Sequence, residues 1–136
     1  MKVMLDSGAF APTRAHKTDA GLDLRSPICI EVPAKGFVVI DTGVHVELPV
    51  GTAGFLKSKS GLNVNHDITS DGVIDVGFTG TIKVKLYNHG SKTYRVLRGD
   101  KITLLVVVEC HFPYVEIVDT LEETDRGDKG FGSTGR

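Results

Sequence analysis

The chain has 136 residues, a length that fits a single domain with a sizeable core. Its 16 Lys and Arg against 17 Asp and Glu leave a formal net charge of −1, which excludes the positive field needed to track nucleic acid. No apolar run approaches the ~18 residues of a membrane span, and Cys29 and Cys110 sit in unrelated apolar runs without metal-ligand spacing, so the expected product is a soluble cytoplasmic protein with reduced core thiols.

The apolar runs are short, β-branched and punctuated by turns, and none sustains a helical period. Ile28–Val32 stops at Pro33, Phe37–Ile40 stops at Asp41-Thr42-Gly43, and Val44–Leu48 alternates until Pro49. Asn63–Asp67 has room for a single helical turn. Thr81–Tyr87 alternates as a half-buried strand and is stopped by Asn88-His89-Gly90. Lys101–Val108 is apolar on both faces, so its second face needs another sheet or another subunit as cover. Tyr114–Val118 reads as the last strand. Short strands at this spacing predict an all-β barrel or jelly roll.

Polar islands lie between these strands. Asp19 and Asp23 flank Gly21, which reads as a turn or as a carboxylate site for a hydrated Mg²⁺. Lys57-Ser-Lys59-Ser60-Gly61 is a solvated basic loop or a small anion nest, with Ser60 and the N–H groups around Gly61 as donors and Lys59 as the charge. Asp71–Gly80 predicts a hairpin with Gly72 and Gly80 at special dihedrals. Within it, Asp75 near Phe78 is expected to be a partly desolvated carboxylate suited to orienting water or gripping a sugar hydroxyl. Leu97-Arg98-Gly-Asp100-Lys101 is a tight turn, with Arg98 and Asp100 in turn contacts or a subunit salt bridge. The five histidines, His45 among them, share no motif context, and no nucleophilic triad is visible. The tail from Arg126 onward is glycine-rich and costly to order, yet it carries basic groups, hydroxyls and the ring of Phe131. It reads either as a frayed terminus or as a segment that closes on a nucleotide, and it lacks the ending of a Walker A loop.

In order, Ala20-Gly-Leu-Asp23-Leu24, Pro49-x-Gly51 through Lys59-Ser60-Gly61, Gly72-Val-Ile-Asp75 through Phe78-x-Gly80 and Asn88, Arg98-Gly-Asp100-Lys-Ile102, and Arg126-Gly-x-x-Gly130-Phe131-Gly-Ser-Thr-Gly135 resemble the five signature segments of the trimeric dUTPase family, of phage or bacterial type. The resemblance implies hydrolysis of dUTP to dUMP and pyrophosphate with Mg²⁺, on a distorted jelly roll or β-clip. It implies a homotrimer with shared active sites, a β domain over residues 1–125, and a glycine-rich arm over 126–136 that closes over a site. Carried over by residue, Asp75 positions the attacking water and Phe78 packs on deoxyribose in place of the usual tyrosine. Backbone groups from Thr69 through Gly72, Val73 and Ile74 read uracil in a hairpin too narrow for a 5-methyl group. Lys83 belongs to the same substrate set, and Asp23 holds the metal through water. Lys59, Ser60 and Gly61 meet the α-phosphate region, while Arg126, Gly132, Ser133 and Thr134 meet the outer phosphates under Phe131.

Three positions depart from the family pattern. Lys59 stands for arginine, Leu104 for a glutamine, and Gly77 for a second aspartate. A dCTP deaminase of related fold is the nearest alternative, but Lys85 occupies the place of its glutamate. A protein of this fold that binds a protein partner is the other.

Overall fold

The computed structural model describes residues 1–130. In chain order they form β1 (Lys2–Leu5), β2 (Gly21–Arg25), β3 (Ile30–Val32), β4 (Phe37–Glu47) and β5 (Thr52–Lys57). The short helix α1 (Ser60–His66) follows, then β6 (Ile68–Thr69), β7 (Asp71–Ile74), β8 (Thr81–Asn88), β9 (Tyr94–Val96) and β10 (Lys101–Glu109). Two four-stranded sheets, ordered β1-β4-β8-β6 and β2-β10-β5-β7, carry the body, and β3 pairs with β9 beside them.

The period-2 pattern of β8 places Ile82, Val84 and Leu86 inside while Lys83 and Tyr87 face out. These side chains share one core with Ile40, Val44 and Val46 of β4 and with Leu24, Leu56, Ile74, Ile102 and Leu105 of the second sheet. Apolar surface buried between two sheets is worth roughly 25 cal/mol per Å². That burial holds the sheets face to face.

The two runs expected on either side of Asp41-Thr42-Gly43 form one strand. Its pairing with β8 shifts register between Asp41 and His45, so the turn signal marks a β-bulge rather than a chain reversal. Thr42 turns inward and donates its hydroxyl to the Ile82 carbonyl at 2.7 Å. Gly43 has φ +65°, and a Cβ there would lie 2.9 Å from that of Ala9. The helix is also longer than one turn. Lys59 is extended at its N-cap, and left-handed Asp67 (φ 56°) closes it by donating its N–H to Asn63 and Leu62 carbonyls.

Leu104, Val106 and Val107 of β10 are half-buried and Val108 is exposed, so its second face is only partly covered. Tyr114–Val118 forms no strand. From His111 to Gly130 every residue is exposed and in neither helix nor strand, because this stretch pairs with no element among the described residues. The cysteines are not core thiols either. Cys29 is exposed, where its Sγ accepts the Arg98 N–H at 3.3 Å, and Cys110 is half-buried at the end of β10. Among the described residues no helix is long and apolar enough to cross a membrane.

Candidate active site

The hairpin from Asp71 to Asn88 is splayed. Its first arm, β7, pairs with β5 in one sheet, while its second arm, β8, pairs with β4 and β6 in the other. The edge of β7 away from β5 therefore carries main-chain groups without a strand partner. A cleft of about 470 Å³ opens between the arms, lined by Val73, Ile74, Asp75, Phe78, Gly80, Thr81 and Lys83. A turn closes its end, with the Phe78 N–H donating to the Asp75 carbonyl at 3.1 Å and Gly77 at φ +91°. Positive φ at that third position is the requirement of a type II turn and suits glycine.

The glycines at Gly72 and Gly80 serve close approach rather than unusual dihedrals, since neither has positive φ. A Cβ on Gly80 would stand 2.8 Å from the Phe78 ring, so only glycine lets that ring approach the turn this closely. Gly72 lies over Leu56, with a Cβ position 3.3 Å from its Cδ1. Asp75 is exposed, and the partly desolvated carboxylate expected from the sequence is not formed among the described residues.

Thr69 does not line this cleft. Its hydroxyl lies 2.7 Å from His89 Nε2, in a separate groove of about 560 Å³ whose charged pair, Lys57 and Asp71, is already joined at 2.6 Å. Lys85 lies outside the cleft as well, with its ammonium 3.9 Å from the Phe37 ring centroid and 4.7 Å from that of Tyr87.

A second cluster gathers charge. Asp23 of β2 is 3% exposed, and its two oxygens accept from Lys59 at 2.5 Å and from Lys101 at 2.6 Å. Burial pushes this carboxyl up, but hydrogen bonds from Lys101 and Lys59 and their charges outweigh it and hold it below 3.8. The segment carrying Lys59 is fixed from beneath. Ser58 donates its hydroxyl to the Ser70 carbonyl and accepts the Ser70 N–H, both at 2.9 Å. The Thr103 hydroxyl donates to the Lys57 carbonyl at 3.1 Å and lies 2.8 Å from that of Ser70. Ser60 and Gly61 are exposed at the start of α1, with open space where a Gly61 side chain would be. Leu104 packs over Gly21, whose Cβ position is 3.0 Å from that of Leu104, so apolar contact fills the place of the family's glutamine.

Sequence reasoning missed Lys101, Ser58, Ser70 and Thr103. Their roles depend on β2 and β5 flanking β10, and the pairing of Lys101 with Arg25 two residues from Asp23 is invisible before register is known. The turn at Leu97 is as expected, with the Asp100 carboxylate accepting the Leu97 N–H at 2.8 Å. Arg98 is used within the chain, donating to the Gly8 carbonyl at 3.0 Å and lying over the Phe10 ring.

Among the described residues no group of three or more His, Cys, Asp or Glu is placed to hold a metal ion. Asp23 has both oxygens committed to ammonium groups, which does not fit direct ligation. The arrangement fits a hydrated ion that arrives with a polyphosphate, because Mg²⁺ keeps several waters and is commonly held by substrate phosphates plus one carboxylate. Arg126 lies in the exposed arm, where its Nε donates to the Lys129 carbonyl at 3.2 Å. Phe131, Gly132, Ser133 and Thr134 lie outside the described residues.

A ring and an open main-chain edge thus lie on one cluster and cationic groups on another, a β-sheet arrangement with the chemistry to meet both ends of a nucleotide. The dUTPase family profile matches residues 8–135, and the chain belongs to the dUTPase family. It is 40% identical to the deoxyuridine 5'-triphosphate nucleotidohydrolase of Gloeothece citriformis, over 96% of this chain and 92% of that one. The solved structure of the Staphylococcus bacteriophage 80alpha dUTPase with dUpNHpp superposes with a TM-score of 0.89 at 30% identity, covering 99% of this chain and 98% of that one. A mutant dUTPase of S. aureus phage phi11, whose structure describes coordination of a structural Mg(II) ion, gives 0.82 at 28% identity over 90% and 98%. The fold is thus the distorted jelly roll, or β-clip, of this family.

Proposed function

We propose that the chain hydrolyses dUTP to dUMP and pyrophosphate, and that it does so as a homotrimer with shared sites. The observation that carries this reading is the splayed hairpin. Its free β7 edge, its Phe78 ring and its Asp75 carboxylate line one cleft, in a chain of the dUTPase family.

Uracil enters between the arms and pairs with main-chain groups of Val73, Ile74 and Lys83, and the narrow gap rejects a 5-methyl substituent. Phe78 packs on deoxyribose and leaves no room for a ribose 2′-hydroxyl. Asp75 accepts a proton from water and aims its oxygen in line at the α-phosphorus. A new P–O bond forms there as the bond to the bridging oxygen of the β-phosphate breaks, and pyrophosphate leaves. Lys59, Ser60 and Gly61 of a neighbouring copy face the phosphates, since they do not line the cleft of their own chain. Asp23, shared with Lys101, fixes the Lys59 ammonium in the structure without nucleotide. Asp23 would hold a Mg²⁺ ion carried in by the triphosphate through water, and that ion would supply neutralising charge there. Arg126, with Phe131, Gly132, Ser133 and Thr134, closes over the site, and Thr69 and Gly72 support the hairpin from outside the cleft.

The assembly is supported by the unmet surface of one chain. Tyr114, Val115, Ile117 and Leu121 are 86–101% exposed, and the outer face of β10 is half-covered. An extended apolar segment of this kind adds to a neighbour's sheet. The body of residues 1–125 is then complete only when segment 112–121 lies on another copy, with 126–136 reaching a site beyond it.

The test is pyrophosphate release measured with dUTP, dCTP, dTTP and UTP. Turnover of dUTP alone is expected. Equal turnover of dTTP or UTP overturns the pocket assignment, and ammonia from dCTP overturns the reaction class.

A further inference from the structure

The bulge in β4 has a consequence at the far end of the hairpin. Pairing with β8 resumes at His45 opposite Thr81, and the His45 ring, 17% exposed, reaches back toward the Asp75–Gly80 turn. Its Nδ1 lies 2.7 Å from the Thr79 carbonyl oxygen and its Nε2 3.2 Å from Asp6 Oδ1, just past the end of β1. Both partners only accept. A neutral imidazole has one N–H and satisfies one of them, whereas the imidazolium donates to both.

We propose that His45, as an imidazolium oriented by Asp6, is a positioning residue that pins the Thr79 carbonyl and thereby sets the turn carrying Asp75 and Phe78. The proposal rests on the reading of that turn as the catalytic one. The turn's internal tie is the Phe78 N–H to the Asp75 carbonyl, with Gly77 and Gly80 on either side of Phe78–Thr79. A grip on Thr79 from the neighbouring strand restrains the segment against the rest of the sheet, and a small misplacement of a reacting group is costly in rate.

The surroundings favour the charged ring. Asp6 faces it from the end of β1, and Asp41 faces it from β4, where its carboxylate accepts from Thr81 and the Gly43 N–H. Lys2 and Glu47, on the paired strands beyond, neutralise each other at 2.9 Å. The Thr79 carbonyl first, then Asp6 and Asp41, raise the His45 pKa above 6.5 against the opposing effect of burial. A raised folded value means the link is fully present below 6.5 and is lost as pH rises through the folded value.

The experiment follows the His45 ring and the amides of Phe78 and Thr79 by NMR from pH 5.5 to 9, beside kcat/KM for dUTP, in the parent, Asp6→Asn and His45→Gln. In the parent, His45 titrates above 6.5, both turn amides shift with it, and kcat/KM falls about 3- to 10-fold across the same range, the modest end of lost positioning. Asp6→Asn gives neutral Nε2 a donor, so it moves the His45 titration down and flattens the kinetic step. His45→Gln removes the step. Turn amides that ignore the His45 titration, or a His45→Gln enzyme with the parent's pH profile, overturn the positioning role. Absence of dUTP turnover in the parent counts against the functional reading instead, since the NMR readout needs no turnover.

Discussion

Leu105 and Ile117 have similar side chains, and each belongs to an apolar segment of β-strand character. Leu105 is 0% exposed in the core, whereas Ile117 is 95% exposed in the arm. The chain through Cys110 pairs every one of its strands with another, ending with the Cys110 N–H on the Gly51 carbonyl at 2.9 Å. The segment Tyr114–Val118 that follows is also apolar and β-branched but pairs with no strand among the described residues. Similar local propensity thus yields a strand in one place and exposed chain in the other, because a strand needs an edge to pair with. In the proposed assembly the cleft lies in the body, while the glycine-rich arm from Arg126 onward serves a neighbour.

The sharpest test on the body side is Asp75→Asn. It preserves size but removes the charge that orients water, so kcat should fall by about 10²- to 10⁴-fold. Nucleotide affinity should change far less, and calorimetric binding beside stopped-flow turnover distinguishes the two. Next, Leu105→Ala should lower unfolding stability by about 2–5 kcal/mol, the range for a buried leucine that leaves a cavity. Ile117→Ala should leave the body's fold unchanged and weaken self-association, read by sedimentation across a concentration series. Equal stability losses at the two positions would erase the contrast between body and arm.

Alternation alone locates Thr81–Asn88 and Val44–Glu47, because one wet and one buried face impose a period of two. Tyr114–Val118 carries a strand signal that no edge among the described residues meets, and nothing in a sequence says where such an edge would come from. Asp75, Phe78 and Lys83 meet in the cleft as the motif order implies, whereas Thr69 faces a different groove. The Asp23–Lys59–Lys101 cluster and the His45–Thr79 contact were illegible for a common reason. Both arise from strand register, the second from a bulge whose extra residues re-aim a side chain.

Smaller effects sharpen the comparison further. Truncation after Glu123 leaves the apolar segment Tyr114–Val118 in place but removes the glycine-rich arm from Arg126 onward. The β body and the assembly should persist while kcat/KM falls by at least ~10-fold, the modest end of lost positioning. The smallest expected effect is on acid stability. The Asp23 carboxyl sits below 3.8 in the fold, so its stabilisation is present above that value and fades as pH falls through the lower folded one. A melting-temperature profile between pH 2 and 6 should show that acid limb reduced in Asp23→Asn.

The central claim is that each active site combines a body cleft from one chain with an arm from another. Mixing an Asp75→Asn chain with a chain truncated after Glu123, after dissociation and reassembly together, tests it directly. Mixed trimers contain sites in which an intact Asp75 cleft meets an intact arm, so dUTP turnover should rise well above that of either parent assembly. Activity equal to the sum of the two separate preparations, in a sample shown by mass to contain mixed trimers, would contradict the shared site.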